Sequence, residues 1–533
     1  MTTASNAPIE GAAPANTKAA IASAVLMVTL IGALVRIVPV LTADFPLSDG
    51  GLFVTMTRDL MDNGFALPFE TTYNGAGIPF LYPPLGFYLM GAIATITGID
   101  LITLFRFVPL IVSIATIPAV YYLAMALLPT RFGATVATIA FALIPRSFEF
   151  TIAGGGLTRG LGVLFAVLLL AVAVRLAQRS TVRRTIALGV IAALAASSHP
   201  EAVLIGALWL VVVLVVTNDR PALLRSFVGA GIVAVVGIAP WLVTINGTHG
   251  IASLLSAGSA GVNLETSWTY LLTAGLTDEA FLTLFGVLAL LGLFLRSSQR
   301  DWRWILWIVG VLVVDPRGGA NYLPAILGPL TAIAIVEIVL PALRWTALPH
   351  AIPWPDGSIG RGPRLALLVL LAFGVGGAIG ARYGDSSPLF ALSGNVRDAI
   401  AAVAAHTPAD AEVVVVSGTG WWVDATAEWF PVLAERRSVS TIQGIEWRGA
   451  TDWQAAVVAN LTLQACAFES VACFETWLTT NAPTASYVFI PRGAPTASPL
   501  DSECCPALRV PLVDAGYPVR FDMPGGTLLE IRP

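Results

Sequence analysis

The chain has 533 residues, of which 56% are hydrophobic and 12% charged, and its formal net charge is -4. A mean hydropathy of +0.79 excludes an ordinary soluble globule, and the near-neutral charge argues against a nucleic-acid partner. These values describe a polytopic membrane protein, and the placement of its 29 Lys and Arg residues reports topology.

Residues 1–17 are Ala, Pro, Thr and Asn with little apolar periodicity and read as a disordered cytoplasmic tail. The apolar run 20–41 is too long for a signal-peptide core and lacks a clean small-residue cleavage site, so it reads as a retained first span. Just beyond it stands the acidic turn Leu47-Ser48-Asp49-Gly50-Gly51-Leu52. An ionised carboxylate at a bilayer edge is costly unless it has a partner or a task there, which makes Asp49 the first candidate for chemistry. The plainer reading is a helix cap, since Asp before a helical segment satisfies free backbone N–H groups. An amphipathic stretch follows at 53–61, and Pro83-Pro84 opens a further apolar segment at 83–98.

Ten more apolar runs lie at 104–127, 132–148, 157–176, 185–197, 202–216, 222–243, 281–295, 304–314, 322–342 and 365–381. With the first they predict about eleven spans, the shorter ones extending into their flanks to reach the roughly 20 residues that a crossing needs. Charge bias supplies the sidedness. Arg175, Arg179, Arg183 and Arg184 mark one cytoplasmic loop. Arg220 and Arg225, then Arg296, Arg300 and Arg303, then Arg344, Arg361 and Arg364, mark every second connection after it. Counting back places Arg131 inside, which requires that 83–98 does not cross. That segment reads as a juxtamembrane or re-entrant helix within a long first external loop, 42–103. On this topology the outer face collects Asp49, Arg58, Asp59 and Glu70, then Arg146, Glu149 and Arg159. His199 and Glu201 follow, then Glu265, then Asp315 and Arg317.

An external Asp soon after the first span, the amphipathic stretch 53–61, the helix start Tyr82-Pro83-Pro84-Leu85-Gly86-Phe87-Tyr88 and an acid in the second external loop form an ordered set. Together they resemble the GT-C glycosyltransferases, nearest to the branch of protein O-mannosyltransferases and the aminoarabinose transferase acting on lipid A. The likeness covers 44–175 in motif and extends as architecture to 381. It implies an α-helical polytopic enzyme that moves a sugar from a polyprenyl-phosphate donor to a protein, glycan or lipid acceptor at the outer membrane edge, with inversion. It implies that Asp49 is the catalytic carboxylate, accepting a proton from the acceptor hydroxyl or helping to hold a divalent ion, and that Glu149 is the second-loop acid. Relatives commonly carry an Asp close to the next span. Here Phe148-Glu149-Phe150-Thr151 precedes Gly154-Gly155-Gly156-Leu157-Thr158-Arg159, and the plainer reading pairs Glu149 with Arg146 or Arg159. Two oxygen ligands from Asp49 and Glu149 would suit Mg²⁺ or Mn²⁺, although two separated acids do not make a metal motif.

The resemblance also implies an Arg in a late external loop or span that holds the lipid phosphate. Arg317 in Asp315-Pro316-Arg317-Gly318-Gly319-Ala320-Asn321-Tyr322 is the candidate, because a guanidinium grips two phosphate oxygens in a fixed fork, and Asn321 and Tyr322 would add hydrogen bonds. Tyr82 and Arg159 are further substrate-binding candidates on the same face. Ser198-His199-Pro200-Glu201 lies between two spans, where His199 and Glu201 are candidates for binding the acceptor or orienting the carrier phosphate; His-x-Glu alone is too sparse for zinc. Gly154-Gly155-Gly156 is not a nucleotide loop, since no strand precedes it and no Lys-Ser/Thr follows; it suits close backbone approach beside a groove.

Beyond 381 the composition turns to a soluble mixed pattern, with strands at 412–416, 487–490 and 527–531 and helices at 424–433 and 453–465. Residues 383–533 thus form an α/β domain, on the outer side by the span count. All four cysteines, Cys466, Cys473, Cys504 and Cys505, fall in it, as an oxidising compartment explains. Adjacent cysteines seldom bridge each other, so Cys466 and Cys473 are expected to reach Cys504 and Cys505. A transporter would also be hydrophobic and polytopic, but no internal repeat is evident and the polar residues collect at one edge. An inactive scaffold of the same architecture would tolerate Asp49→Asn.

Overall fold

The computed structural model describes residues 15–259, 275–315, 318–344, 352–354, 357–359, 361–383, 387–492, 504–505 and 507–531. Residues 1–14 of the expected tail, Glu265 and Arg317 lie outside the described residues.

The apolar runs fold as helices α1 (Ala15–Thr42), α2 (Gly51–Asp62), α3 (Leu85–Thr97), α4 (Leu101–Leu127), α5 (Arg131–Leu143), α6 (Gly156–Gln178), α7 (Val182–Ala196), α8 (Pro200–Val216), α9 (Arg220–Thr248), α10 (Ile251–Ser259), α11 (Leu284–Ser298), α12 (Arg303–Val314), α13 (Pro324–Ala334) and α14 (Arg361–Gly380). A π turn at Ile335–Val339 carries α13 on into Leu340–Arg344. Among the described residues, six helices are long and apolar enough to cross a membrane: α1, α4, α6, α9, α13 with its extension, and α14. The α5, α8, α11 and α12 helices are shorter and apolar. Their starts follow local chemistry: Asp100, Thr130, Thr181 and Asp219 each accept a backbone N–H of the first turn of α4, α5, α7 and α9. The α3 helix has 13 residues, roughly 20 Å of helix against a hydrocarbon core of about 30 Å, and Gly98 ends it in the left-handed region. The run 132–148 is a shorter helix than expected, because Pro145 disfavours helical geometry at Ile144 and starts a 3₁₀ turn, Pro145–Ser147.

The α6 helix is at the centre of the bundle, packed on α4, α7 and α8, whereas α9 exposes Leu224, Val228, Ile232, Val235, Val236 and Val243, a surface that hydrocarbon would cover. A buried cation in α1 ties the bundle to its loops. Arg36 donates to Ser113 Oγ (3.1 Å), to the Gly32 and Ala142 carbonyls (3.0 and 2.8 Å) and to Ser147 Oγ (2.9 Å), with Phe148 beneath its guanidinium. The connections gather by end. Leu85 N–H donates to Ser197 O and Arg146 N–H to Thr277 O at one end, while Arg175 reaches Tyr122 O and Arg184 reaches Arg175 O at the other.

The C-terminal sheet-containing domain rests on the first of these ends. Short antiparallel pairs occur before it, β1 (Glu70–Thr71) with β2 (Ile78–Pro79) and β3 (Ile352–Trp354) with β4 (Gly357–Ile359). The domain's strands β5 (Glu412–Val415), β6 (Arg437–Ser438), β7 (Tyr487–Pro491), β8 (Val519–Met523) and β9 (Gly526–Glu530) form one sheet in the order β6-β5-β7-β9-β8. The β5 strand runs parallel to both neighbours, and β9 is antiparallel to β7 and β8. Both faces of the middle strands are covered, which explains the unbroken Val413-Val414-Val415-Val416 run. Val414, Val416 and Val488 face α17 (Ala450–Glu469) and α18 (Val471–Asn481). Val413, Val415 and Phe489 pack with Ile400 of α15 (Gly394–His406) and Phe430 of α16 (Ala425–Ala434), in a core that continues into Val54, Met90 and Phe105 of the membrane part.

The cysteine pairing differs from expectation. Cys466 bridges Cys473, and Cys504 bridges its neighbour Cys505. Ser470 breaks the chain between α17 and α18, so the first pair comes within 5.4 Å between Cα atoms without help from elsewhere in the fold.

Candidate active site

The Asp49 turn lies between the start of α6 and the C-terminal domain and is tied to both. From the α6 side, Gly154 N–H donates to Leu47 O (2.8 Å), and Gly155 N–H donates to Asp49 O (3.1 Å) and to Asp49 Oδ1 (2.9 Å). From the other side, Trp429 Nε1 donates to Ser48 O (3.0 Å), while Glu428 Oε1 accepts from Gly50 N–H (2.9 Å). Gly50 has φ 137°, a value open to glycine, and Trp429 and Gly154 would crowd any Cβ there. The capping reading of Asp49 is thereby corrected. The start of α2 is held by Glu428, whereas the Asp49 side chain turns to Gly155 and forms no cap bond.

Burial pushes the Asp49 carboxyl up from its ordinary range, and Arg159 and the Gly155 N–H pull it back. Burial, with Asp49 nearby, pushes Glu428 up much further against the N–H groups of α2. Asp49 is half-buried, whereas Glu428 is buried.

Arg159, in the first turn of α6, is the centre of the remaining polar groups: Glu201, Asp49, Tyr82 and Tyr322 all act on it electrostatically. Tyr82 is placed by its hydroxyl's hydrogen bond with Thr158 Oγ1 (3.2 Å) and by ring contacts with Phe53, His199 and Trp447 at 5.0, 5.9 and 5.0 Å. His199 Nδ1 stands 3.6 Å from Glu201 Oε2. Gly162, one turn along α6, lets His199 and the Tyr322 hydroxyl approach; a Cβ there would lie 2.9 and 3.1 Å from them. Among the described residues, Arg159 Nε and the buried Tyr322 hydroxyl have no hydrogen-bond partner. Such atoms suit a ligand with its own acceptors and donors.

The structure therefore places Asp49, Tyr82, Arg159, His199, Glu201 and Tyr322 around one site. Gly318 lies against the Glu201 carboxylate, and its N–H donates to Asp315 Oδ1 (3.0 Å), while Arg317 itself lies outside the described residues. Glu149 has different company. Burial and Asp278 raise its carboxyl well above the usual range, Arg146 opposes them, and Arg146 itself pairs with Asp278 at 2.5 Å. Asp49 and Glu149 thus belong to separate charge groups, with Phe150 beneath both Arg146 (5.8 Å) and Arg159 (5.9 Å). Among the described residues no three His, Cys, Asp or Glu side chains gather as metal ligands. The donor set does not fit the Mg²⁺ or Mn²⁺ ion expected between Asp49 and Glu149.

Sequence reasoning did not find Glu428 or Tyr73. Tyr73 donates its hydroxyl to Glu428 O (2.6 Å), and Trp447 covers Tyr82. Only the acid within an otherwise apolar Ala425-Thr426-Ala427-Glu428-Trp429-Phe430 helix gave a signal.

No protein-family model matches the chain, and no curated protein matches it in sequence. Solved structures match it in fold. The oligosaccharyltransferase AglB from Archaeoglobus fulgidus, in complex with an inhibitory peptide and a dolichol-phosphate, aligns with a TM-score of 0.55 and 13% identity over 89% of this chain and 69% of its own. ArnT from Cupriavidus metallidurans, bound to undecaprenyl phosphate, aligns with a TM-score of 0.53 and 14% identity over 97% and 98%. The arabinofuranosyltransferase AftD from Mycobacteria aligns with a TM-score of 0.55 and 16% identity over 97% of this chain and 40% of its own. The chain has the fold of the GT-C glycosyltransferases, a helical membrane architecture with a sheet-containing C-terminal domain.

Proposed function

We propose that the protein transfers a sugar from a polyprenyl-phosphate donor to an acceptor hydroxyl or amide at the end of the bundle that carries Asp49, with inversion at the anomeric carbon. The observation that carries this reading is the meeting of a half-buried carboxylate, Asp49, with the Arg159 cation beside Tyr82, Glu201 and Tyr322. The fold neighbours support the donor class, since AglB was solved with a dolichol-phosphate and ArnT with undecaprenyl phosphate.

In the reaction, the acceptor heteroatom bonds to the anomeric carbon as the carbon–oxygen bond to phosphate breaks. Asp49 takes the acceptor's proton, and the polyprenyl phosphate leaves with the bonding electrons. Arg159 and the Tyr322 hydroxyl receive the charge that develops on that phosphate, a task that the resemblance also assigns to Arg317. His199 and Glu201 orient Arg159, and Tyr82 presents its ring to the sugar. Glu149 faces the Arg146–Asp278 pair and transfers no proton. The charge bias of the Arg-rich loops supports the outer face as the side of the reaction.

Purified protein incubated with a panel of radiolabelled polyprenyl-phosphate monosaccharides tests the reading. Donor consumption with release of free polyprenyl phosphate and a product of inverted anomeric configuration is expected. A wild-type protein that consumes no donor faster than protein-free micelles, while binding and moving a solute across vesicles, would replace it with the transporter.

A further inference from the structure

We propose that Glu428 and Trp429 of the C-terminal domain are positioning residues for Asp49, so that the docked domain is a working part of the catalytic centre. The proposal rests on the transferase reading above. It stands on the geometry of one peptide unit. The carbonyl of Asp49 accepts from Gly155 N–H of the membrane part, and the N–H of the same peptide, on Gly50, donates to Glu428 Oε1 of the C-terminal domain. A peptide plane held at both ends by different parts of the chain cannot rotate, and the Asp49 side chain leaves the backbone next to that plane. The preceding carbonyl, Ser48 O, accepts from Trp429 Nε1, and Ser48 N–H donates to Phe390 O (2.6 Å), so the C-terminal portion holds both backbone polar groups of Ser48 as well.

Glu428 is itself fixed. The N–H groups of Gly51 and Leu52 at the start of α2 also act electrostatically on its carboxyl group, and its own carbonyl accepts from Tyr73 in the first loop. Trp429 is fully buried and packs edge-on against Phe45 with ring centroids 4.6 Å apart. Both residues bond to the backbone of the turn and not to the Asp49 side chain, so both act on the reaction through Asp49.

The full-length protein in nanodiscs tests this with E428A, E428Q and W429F, each first shown to retain wild-type protease resistance of the C-terminal domain. Glutamine keeps an acceptor oxygen for Gly50 N–H, and phenylalanine keeps the ring but not the donor. The expected result is that E428A lowers kcat about tenfold or more with the donor KM within about twofold of wild type, that E428Q recovers most of kcat, and that W429F falls between them. Amide hydrogen exchange over 47–57 is expected to quicken in E428A and to stay near wild type in E428Q. Wild-type kcat in E428A, or equal rates in E428A and E428Q, would overturn the proposal. Should wild-type protein show no Asp49-dependent turnover, the transferase reading fails, and unchanged exchange over 47–57 in E428A would then overturn the clamp by itself. If E428A does not fold, E428Q and W429F decide the matter by the same readouts.

Discussion

The most sensitive position beside Asp49 is a glycine. A methyl group on Gly155 would stand 2.6 Å from Asp49 Oδ2, closer than non-bonded atoms approach, so the carboxylate would have to turn away. Gly155→Ala is expected to lower turnover roughly tenfold to a hundredfold while leaving the yield of folded protein unchanged, as measured by initial rates and size-exclusion profiles. Asp49 was legible in the sequence because a charge beside a membrane span demands a reason. Arg159, His199, Glu201 and Tyr322 were legible as polar residues sharing one end of the spans. Glu428 was not, because its partner at Gly50 is 378 residues away and its own helix reads as core. Glu149 shows the converse. Its place in the second loop matched a pattern, yet Arg146 and Asp278 set its surroundings, and sequence distance gave no hint of Asp278.

At the scale of elements, two buried polar groups govern stability. Arg36 ties α1 to α4, α5 and the Pro145–Ser147 turn through three hydrogen bonds and makes a fourth within α1. Removing it orphans those acceptors, so Arg36→Ala is expected to cost on the order of 3 kcal/mol, read as a lower Tm in detergent than wild type. Asp424 caps α16 through Ala427 N–H (2.9 Å) and accepts from Ser417 Oγ (2.5 Å), and burial raises its carboxyl from 3.8 to about 6. The folded chain therefore binds this proton more tightly than the unfolded chain does. Its contribution is fully present below about pH 4, is lost as pH rises to about 6, and is constant above that, with a span of about 3 kcal/mol. Asp424→Asn keeps the cap and is expected to remove that part of the slope in thermal unfolding between pH 4 and 6. Helix positions were legible from apolar runs and their ends from Pro and capping residues. The α15 and α18 helices and β8 were missed, since Gly394–His406 and Val471–Asn481 mix small and polar residues, and Val519–Met523 is an edge strand with mostly exposed side chains. The disulfides defied the rule against adjacent pairs because helix geometry brings Cys466 to Cys473 and leaves Cys504 only Cys505.

In the whole molecule, the C-terminal domain and the membrane bundle share an apolar core in which Val413, Val415 and Phe489 meet Val54, Met90 and Phe105. Composition could divide the chain near residue 381, but it could not show that the two parts close on the same turn. That closure leaves Asp49 half-buried beside the Arg159 cation. The decisive measurement is single-turnover transfer from the donor that wild-type protein consumes, with donor affinity determined in parallel, for wild type and Asp49→Asn. A rate lowered by roughly 10²–10⁴-fold with donor affinity retained is the predicted result; a rate equal to wild type would contradict it.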